Sequence, residues 1–112
     1  MIFSDFNTMD EKEFIYVLKL RNDLLDDSNW TEIENKIVEE HFQRLKIDCE
    51  RGKVILAGRT LTNTPEGFGI VIFKEDSLKN AEIYMENDPA IQKKIMTASL
   101  FPYRVALINT DK

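Results

Sequence analysis

Cysteine and histidine are all but missing from this chain: each occurs once in 112 residues, as Cys49 and His41. A single cysteine closes no internal disulfide. One cysteine and one histidine also exclude a zinc site of the usual Cys/His kind, so no metal is expected. The four glycines are scattered and form no phosphate-cradling loop, which removes the usual nucleotide-binding signatures. No serine or cysteine sits in a nucleophile elbow or beside a base, so a covalent mechanism has no support. Long apolar runs are lacking too. A stretch such as GIVIF at 69–73 is far shorter than the roughly 20 residues that cross a bilayer, and no membrane partner is expected. Positive charge is in deficit, with a net charge of -5 and no aromatic-rimmed Lys/Arg cluster, which argues against nucleic-acid binding. The opening MIFSDFNTMDEKEF carries acidic residues where a secretory leader has basic ones, so a cytoplasmic location is expected.

What is present is an ordinary globular mixture, 43% hydrophobic and 31% charged. It predicts one domain over residues 1–112. EFIYVLKL at 13–20 is rich in β-branched and aromatic residues and reads as a strand. Thr31 followed by Glu34 makes a capping box, and the helix it starts runs to about Arg51, where Gly52 supplies a left-handed stop. KVILAGRT at 53–60 and FGIVIFK at 68–74 predict an antiparallel hairpin across the turn-rich LTNTPEG. Ser77 caps a second helix carrying Leu78, Ala81, Tyr84 and Met85 at helical spacing. Asp88-Pro89 ends it and opens a short further helix. A last strand is expected around Tyr103 to Asn109.

This order is the split βαβ of ferredoxin-like folds, an α+β architecture with a four-stranded antiparallel sheet. Two helices cover only one sheet face. Yet the strands are apolar on both, with Phe14, Tyr16 and Leu18 opposing Ile15 and Val17, and Phe68, Ile70 and Ile72 opposing Val71 and Phe73. The simplest cover for the second face is another copy, so a homodimer is expected.

On the first helix Ile33, Ile37, Val38, Phe42, Leu45 and Cys49 spread over about half the circumference at 100° per residue, with His41 near the centre of the arc. Cys49 on that side reads as a packing residue. A side chain that titrates near neutrality is thereby set against the core. It is either a core histidine whose ring nitrogens find partners or a general acid or base in a pocket. Glu34 and Asp48, each seven residues away, lie on nearly the same face but two turns off, too far for direct contact.

The chain resembles the YCII family of small proteins, itself similar to the dimeric α/β-barrel branch of ferredoxin-like folds. The resemblance rests on H-F-Q-R-L from His41, R-G-K-V-I-L-A-G at 51–58, D-P at 88–89 and F-P-Y-R-V at 101–105, and spans roughly residues 12–109. It implies an active site of His41 and Asp88. Three positions depart from the pattern: Arg59 follows A-G where proline is common, Ala90 follows D-P where an aromatic is common, and IQKKIM lacks an expected glycine. Part of the family is connected with lyase-type chemistry on ring compounds. A histidine oriented by a carboxylate is a versatile proton-transfer unit, and Asp88 can cap a helix with one oxygen while the other faces the imidazole. Arg59 is a candidate for holding an anionic substrate by its planar fork, and Ser99, Tyr16 and Tyr103 are candidate pocket donors. The function expected is cofactor-free proton transfer, of lyase or isomerase type, on a small organic substrate. The alternatives are a non-catalytic homodimeric ligand-binding or assembly module and, third, a cofactor-free monooxygenase.

Overall fold

The computed structural model describes residues 12–110. Strand β1 (Lys12–Leu20) is followed by two 3-10 turns (Asn22–Leu25 and Asp27–Asn29) and helix α1 (Glu32–Glu50). The hairpin β2 (Val54–Arg59) and β3 (Gly69–Glu75) comes next, then α2 (Leu78–Glu86), the single-turn helix α3 (Pro89–Gln92) and β4 (Met96–Tyr103). The sheet order is β2-β3-β1-β4, with each neighbouring pair antiparallel. The fold is ferredoxin-like.

Local chemistry sets most of the boundaries. The Thr31 hydroxyl and the Glu34 carboxylate bond each other and serve the open amides at the start of α1, with Thr31 N–H donating to Glu34 at 2.8 Å. Gly52 takes a φ of 86°, and its N–H closes on the Cys49 carbonyl, which ends the helix where only glycine is comfortable. Ser77 accepts from Asn80 N at the start of α2.

The last strand corrects the expectation from sequence. It is Met96–Tyr103 rather than Tyr103–Asn109, and 104–110 form no regular element. Pairing with β1 runs from Leu20↔Met96 to Glu13↔Tyr103, so β1 is used up where the expected strand would begin. Pro102, which has no N–H to give, is tolerated because β4 is an edge strand bonded on one side only.

The core lies between the sheet and the helices. Phe14, Tyr16 and Leu18 from β1 and Val71 and Phe73 from β3 meet Leu45 of α1 and Ala81, Tyr84 and Met85 of α2. Phe73 is its centre, with ring centroids 5.6 Å from Tyr16 and 4.8 Å from Tyr84. Each such aromatic contributes on the order of 1.5–3 kcal/mol by leaving water. A second, smaller cluster gathers Leu24, Ala90 and Ile95 with Trp30, Ile37 and Val38 around them. Trp30 Nε1 donates to the Leu24 carbonyl at 2.7 Å, tying the 3-10 turns to this cluster.

The inward stripe of α1 is narrower and more polar than expected. It consists of Ile37, Val38, His41, Arg44, Leu45 and Asp48, whereas Ile33 and Phe42 are 68% and 56% exposed. Cys49, expected to pack, is exposed. The reason is that Arg44 and Asp48 both find partners on Tyr84, which lets charged residues hold inward places that hydrophobicity alone would assign elsewhere. On the other sheet face Ile15, Val17 and Ile70 are half-buried, and Leu56 and Phe101 are 45% and 50% exposed, so this face is apolar and open in the single chain. Among the described residues no helix is long and apolar enough to cross a membrane.

Candidate functional site

Three elements converge on one carboxylate. At the α2–α3 junction the pyrrolidine of Pro89 opens α3, and the extended Asp88 before it caps the helix by accepting from Ala90 N at 2.9 Å. That geometry turns the Asp88 side chain into the protein, where it is 0% exposed. From α1, His41 Nδ1 lies 2.7 Å from Oδ1 and 2.9 Å from Oδ2 of Asp88. From β1, the Tyr16 hydroxyl donates to Oδ2 at 2.7 Å. Cap and imidazole partner are thus the same residue, one that the chain reaches 47 positions after His41.

The electrostatics follow from burial and these bonds. Burial alone pushes the Asp88 carboxyl up, but the hydrogen bond and charge of His41, the Tyr16 hydroxyl and the Ala90 amide outweigh it and hold the carboxyl below the usual carboxylate range. Tyr16 is pushed far above the ordinary phenol value, first by burial and then by the neighbouring Asp88 charge, so it stays a donor. An ionised carboxylate only accepts, so Nδ1 carries the proton that it receives. In the neutral ring the lone pair is then on Nε2. Among the described residues no group bonds Nε2, and the His41 side chain is 13% exposed, so that nitrogen has no protein partner. The arrangement can take up a proton at Nε2 while Asp88 steadies the imidazolium.

The other candidates fall in different places. Tyr16 is at the site, but its hydroxyl is spent on Asp88. Ser99 pairs with Val17 and Tyr103 with Glu13, one residue out of phase with Tyr16, so both lie on the sheet face turned away from His41. Arg59 is exposed at the end of edge strand β2, where it lines a groove with Gly58, Thr60, Phe68 and Ile70. Within one chain, none of these three meets Asp88. Glu34 is occupied with Thr31, and Asp48 accepts from the Tyr84 hydroxyl at 2.6 Å, so neither serves His41. Among the described residues no three His, Cys, Asp or Glu side chains gather where a metal ion would need them.

Sequence reasoning missed Arg44. Its Nη2 donates to the Tyr84 carbonyl at 2.7 Å, its guanidinium lies 4.0 Å over the Tyr84 ring, and Nη1 is 4.0 Å from Asp88 Oδ2. The signal was its spacing, one turn beyond His41 on the same helical face.

No protein-family model matches the chain, and no curated protein matches it by sequence. Among solved structures it is similar to 5-chloro-2-hydroxyhydroquinone dehydrochlorinase from Burkholderia phenoliruptrix, in complex with 2,5-dihydroxybenzoquinone. The TM-score is 0.61 at 16% identity, over 82% of this chain and 93% of that one. The likeness is one of fold.

Proposed function

We propose that this protein is a YCII-like enzyme of small-molecule metabolism that moves a proton without a cofactor, acting as a cytoplasmic homodimer. The observation that carries this is the state of His41: one ring nitrogen is fixed by a fully buried carboxylate and the other has no partner among the described residues. The fold shared with a dehydrochlorinase that binds a hydroxylated quinone supports a ring-shaped, oxygen-bearing substrate.

In this mechanism Nε2 accepts a proton from an acidic C–H or O–H of the substrate. Asp88, accepting from Nδ1, stabilises the positive charge that appears on the ring. If the released electron pair expels a leaving group, the reaction is an elimination; if the proton returns to another atom, it is an isomerisation. Tyr16 and the Ala90 amide keep the carboxylate in place throughout.

The test is release of chloride from 5-chloro-2-hydroxyhydroquinone, with 2,5-dihydroxybenzoquinone as the binding probe. His41→Asn is expected to abolish release while the probe still binds. Asp88→Asn keeps the cap but loses the charge, and is expected to reduce release at least tenfold. Full activity in His41→Asn overturns the proposal. So does an imidazole resonance of the unsubstituted protein that no cyclic hydroxycarbonyl compound perturbs.

A further inference from the structure

We infer that Arg44 is the permanent countercharge of Asp88, and that by holding this place it lets His41 start the reaction as a base rather than as an acid. The inference rests on the His41–Asp88 pair as the reacting unit and adds a direction to it.

Arg44 is held in an unusual way. The C-terminal turn of α2 tightens, with Asp88 N–H closing on the Met85 carbonyl, so the Tyr84 carbonyl has no helical partner and is taken by Arg44 Nη2. The guanidinium plane is fixed over the Tyr84 ring. Tyr84 is in turn fixed by its hydroxyl bond to Asp48. These contacts leave Nη1 buried beside Asp88 Oδ2, and it is the one buried side-chain polar atom without a partner among the described residues. A buried donor left unbonded is unfavourable. Here it sets a charge that cannot be lost at 4.0 Å from a carboxylate whose hydrogen bonds are already supplied by His41, Tyr16 and Ala90.

The consequence is for the imidazole. Arg44 sets a second positive charge beside the carboxylate that His41 also faces, so an imidazolium there shares one anion with the guanidinium. Of the other charged groups nearby, Glu34 bonds Thr31, Asp48 accepts from the Tyr84 hydroxyl, and Lys53, 4.8 Å from the centre of the Tyr84 ring, pairs with Glu75. Once Nε2 has taken a proton the cluster carries a surplus positive charge, which suits a substrate that has just become an anion. The substrate class this points to is a neutral acid, such as an enolisable carbonyl compound or a phenol, that gives up its proton in the first step.

The single histidine makes the test direct, because its imidazole resonances need no assignment and no substrate. Arg44→Gln is expected to move their titration midpoint about one pH unit higher than in the unsubstituted protein, the size of one close charge removed. Arg44→Lys keeps the charge and is expected to leave the midpoint within a few tenths. A purely structural Arg44 would give the opposite pattern, with both variants less stable and neither midpoint moved, and that result overturns the inference. If Arg44→Gln does not fold, the unsubstituted protein decides: the Arg44 guanidinium resonances are expected to shift with the same midpoint as the imidazole. Guanidinium resonances that ignore the imidazole titration overturn the inference. Neither measurement involves turnover, so failure here is distinct from failure of the chloride-release test.

Discussion

Replacing Tyr16 by phenylalanine isolates one bond of the site. The ring keeps its volume and its edge contact with Phe73, and only the hydroxyl that donates to Asp88 Oδ2 at 2.7 Å is lost. A hydrogen bond to a charged group contributes about 1.5–3 kcal/mol. Asp88 is 0% exposed, so water does not replace the donor easily. We expect a loss of about 2 kcal/mol at pH 7, read as a fall of roughly 1–1.5 M in the urea midpoint for a chain of this size. Protein concentration is held fixed, because association adds to apparent stability. The loss carries a pH signature. The Asp88 carboxyl lies below its ordinary value in the folded protein, so what its ionised form contributes is present above the unfolded value of about 3.9. That contribution disappears as pH falls through the lower, folded value. The gap between the two proteins is therefore widest near neutrality and narrows to less than half in strong acid, where a neutral carboxyl makes a weaker bond. A loss under about 0.5 kcal/mol at pH 7 refutes the reasoning. A gap as wide in strong acid as at neutrality does so too.

Two further outcomes follow from other parts of the molecule. The open apolar face with Ile15, Val17 and Ile70 predicts a dimer at micromolar concentration in sedimentation, and Ile15→Lys is expected to give the monomer with its helical spectrum retained. A monomeric unsubstituted protein that binds no hydrophobic dye would refute this. Turnover, once measured, is expected to survive EDTA, since proton transfer is assigned to His41. Activity lost on chelation and restored by one metal ion would move the chemistry elsewhere.

The elements that were legible in the sequence are those fixed by neighbours in the chain. The Thr31–Glu34 box, the Gly52 stop, the Ser77 cap and the Asp88-Pro89 junction each depend on a few adjacent residues, and all four lie where their residue types predict. The last strand was misplaced because its position is set by β1, some eighty residues earlier along the chain. Local preference favours the branched residues of RVALIN over MTASLFPY, whose Ala98 and Pro102 weaken its strand character. The polar half of the α1 stripe was hidden for a similar reason. Arg44 and Asp48 are admitted by Tyr84, which sits on another helix, and no periodicity in 32–50 contains that information. His41 and Asp88 are both legible as candidates, whereas Tyr16 reads as a pocket donor in the sequence because its partner, Asp88, becomes visible only in three dimensions.

The double use of Asp88 limits how this protein can diverge. One carboxylate starts α3 and grips the imidazole, so an exchange that removes both oxygens loosens His41 and also the turn that carries Ala90 into the second cluster. Asparagine keeps the cap and abandons the charge; glutamate keeps the charge and lengthens the reach beyond the cap. Neither preserves both. A lineage seeking new substrates is therefore denied its most direct route, alteration of the reacting pair. It has to work at the periphery, on exposed positions such as Arg59, and leave the centre as it is.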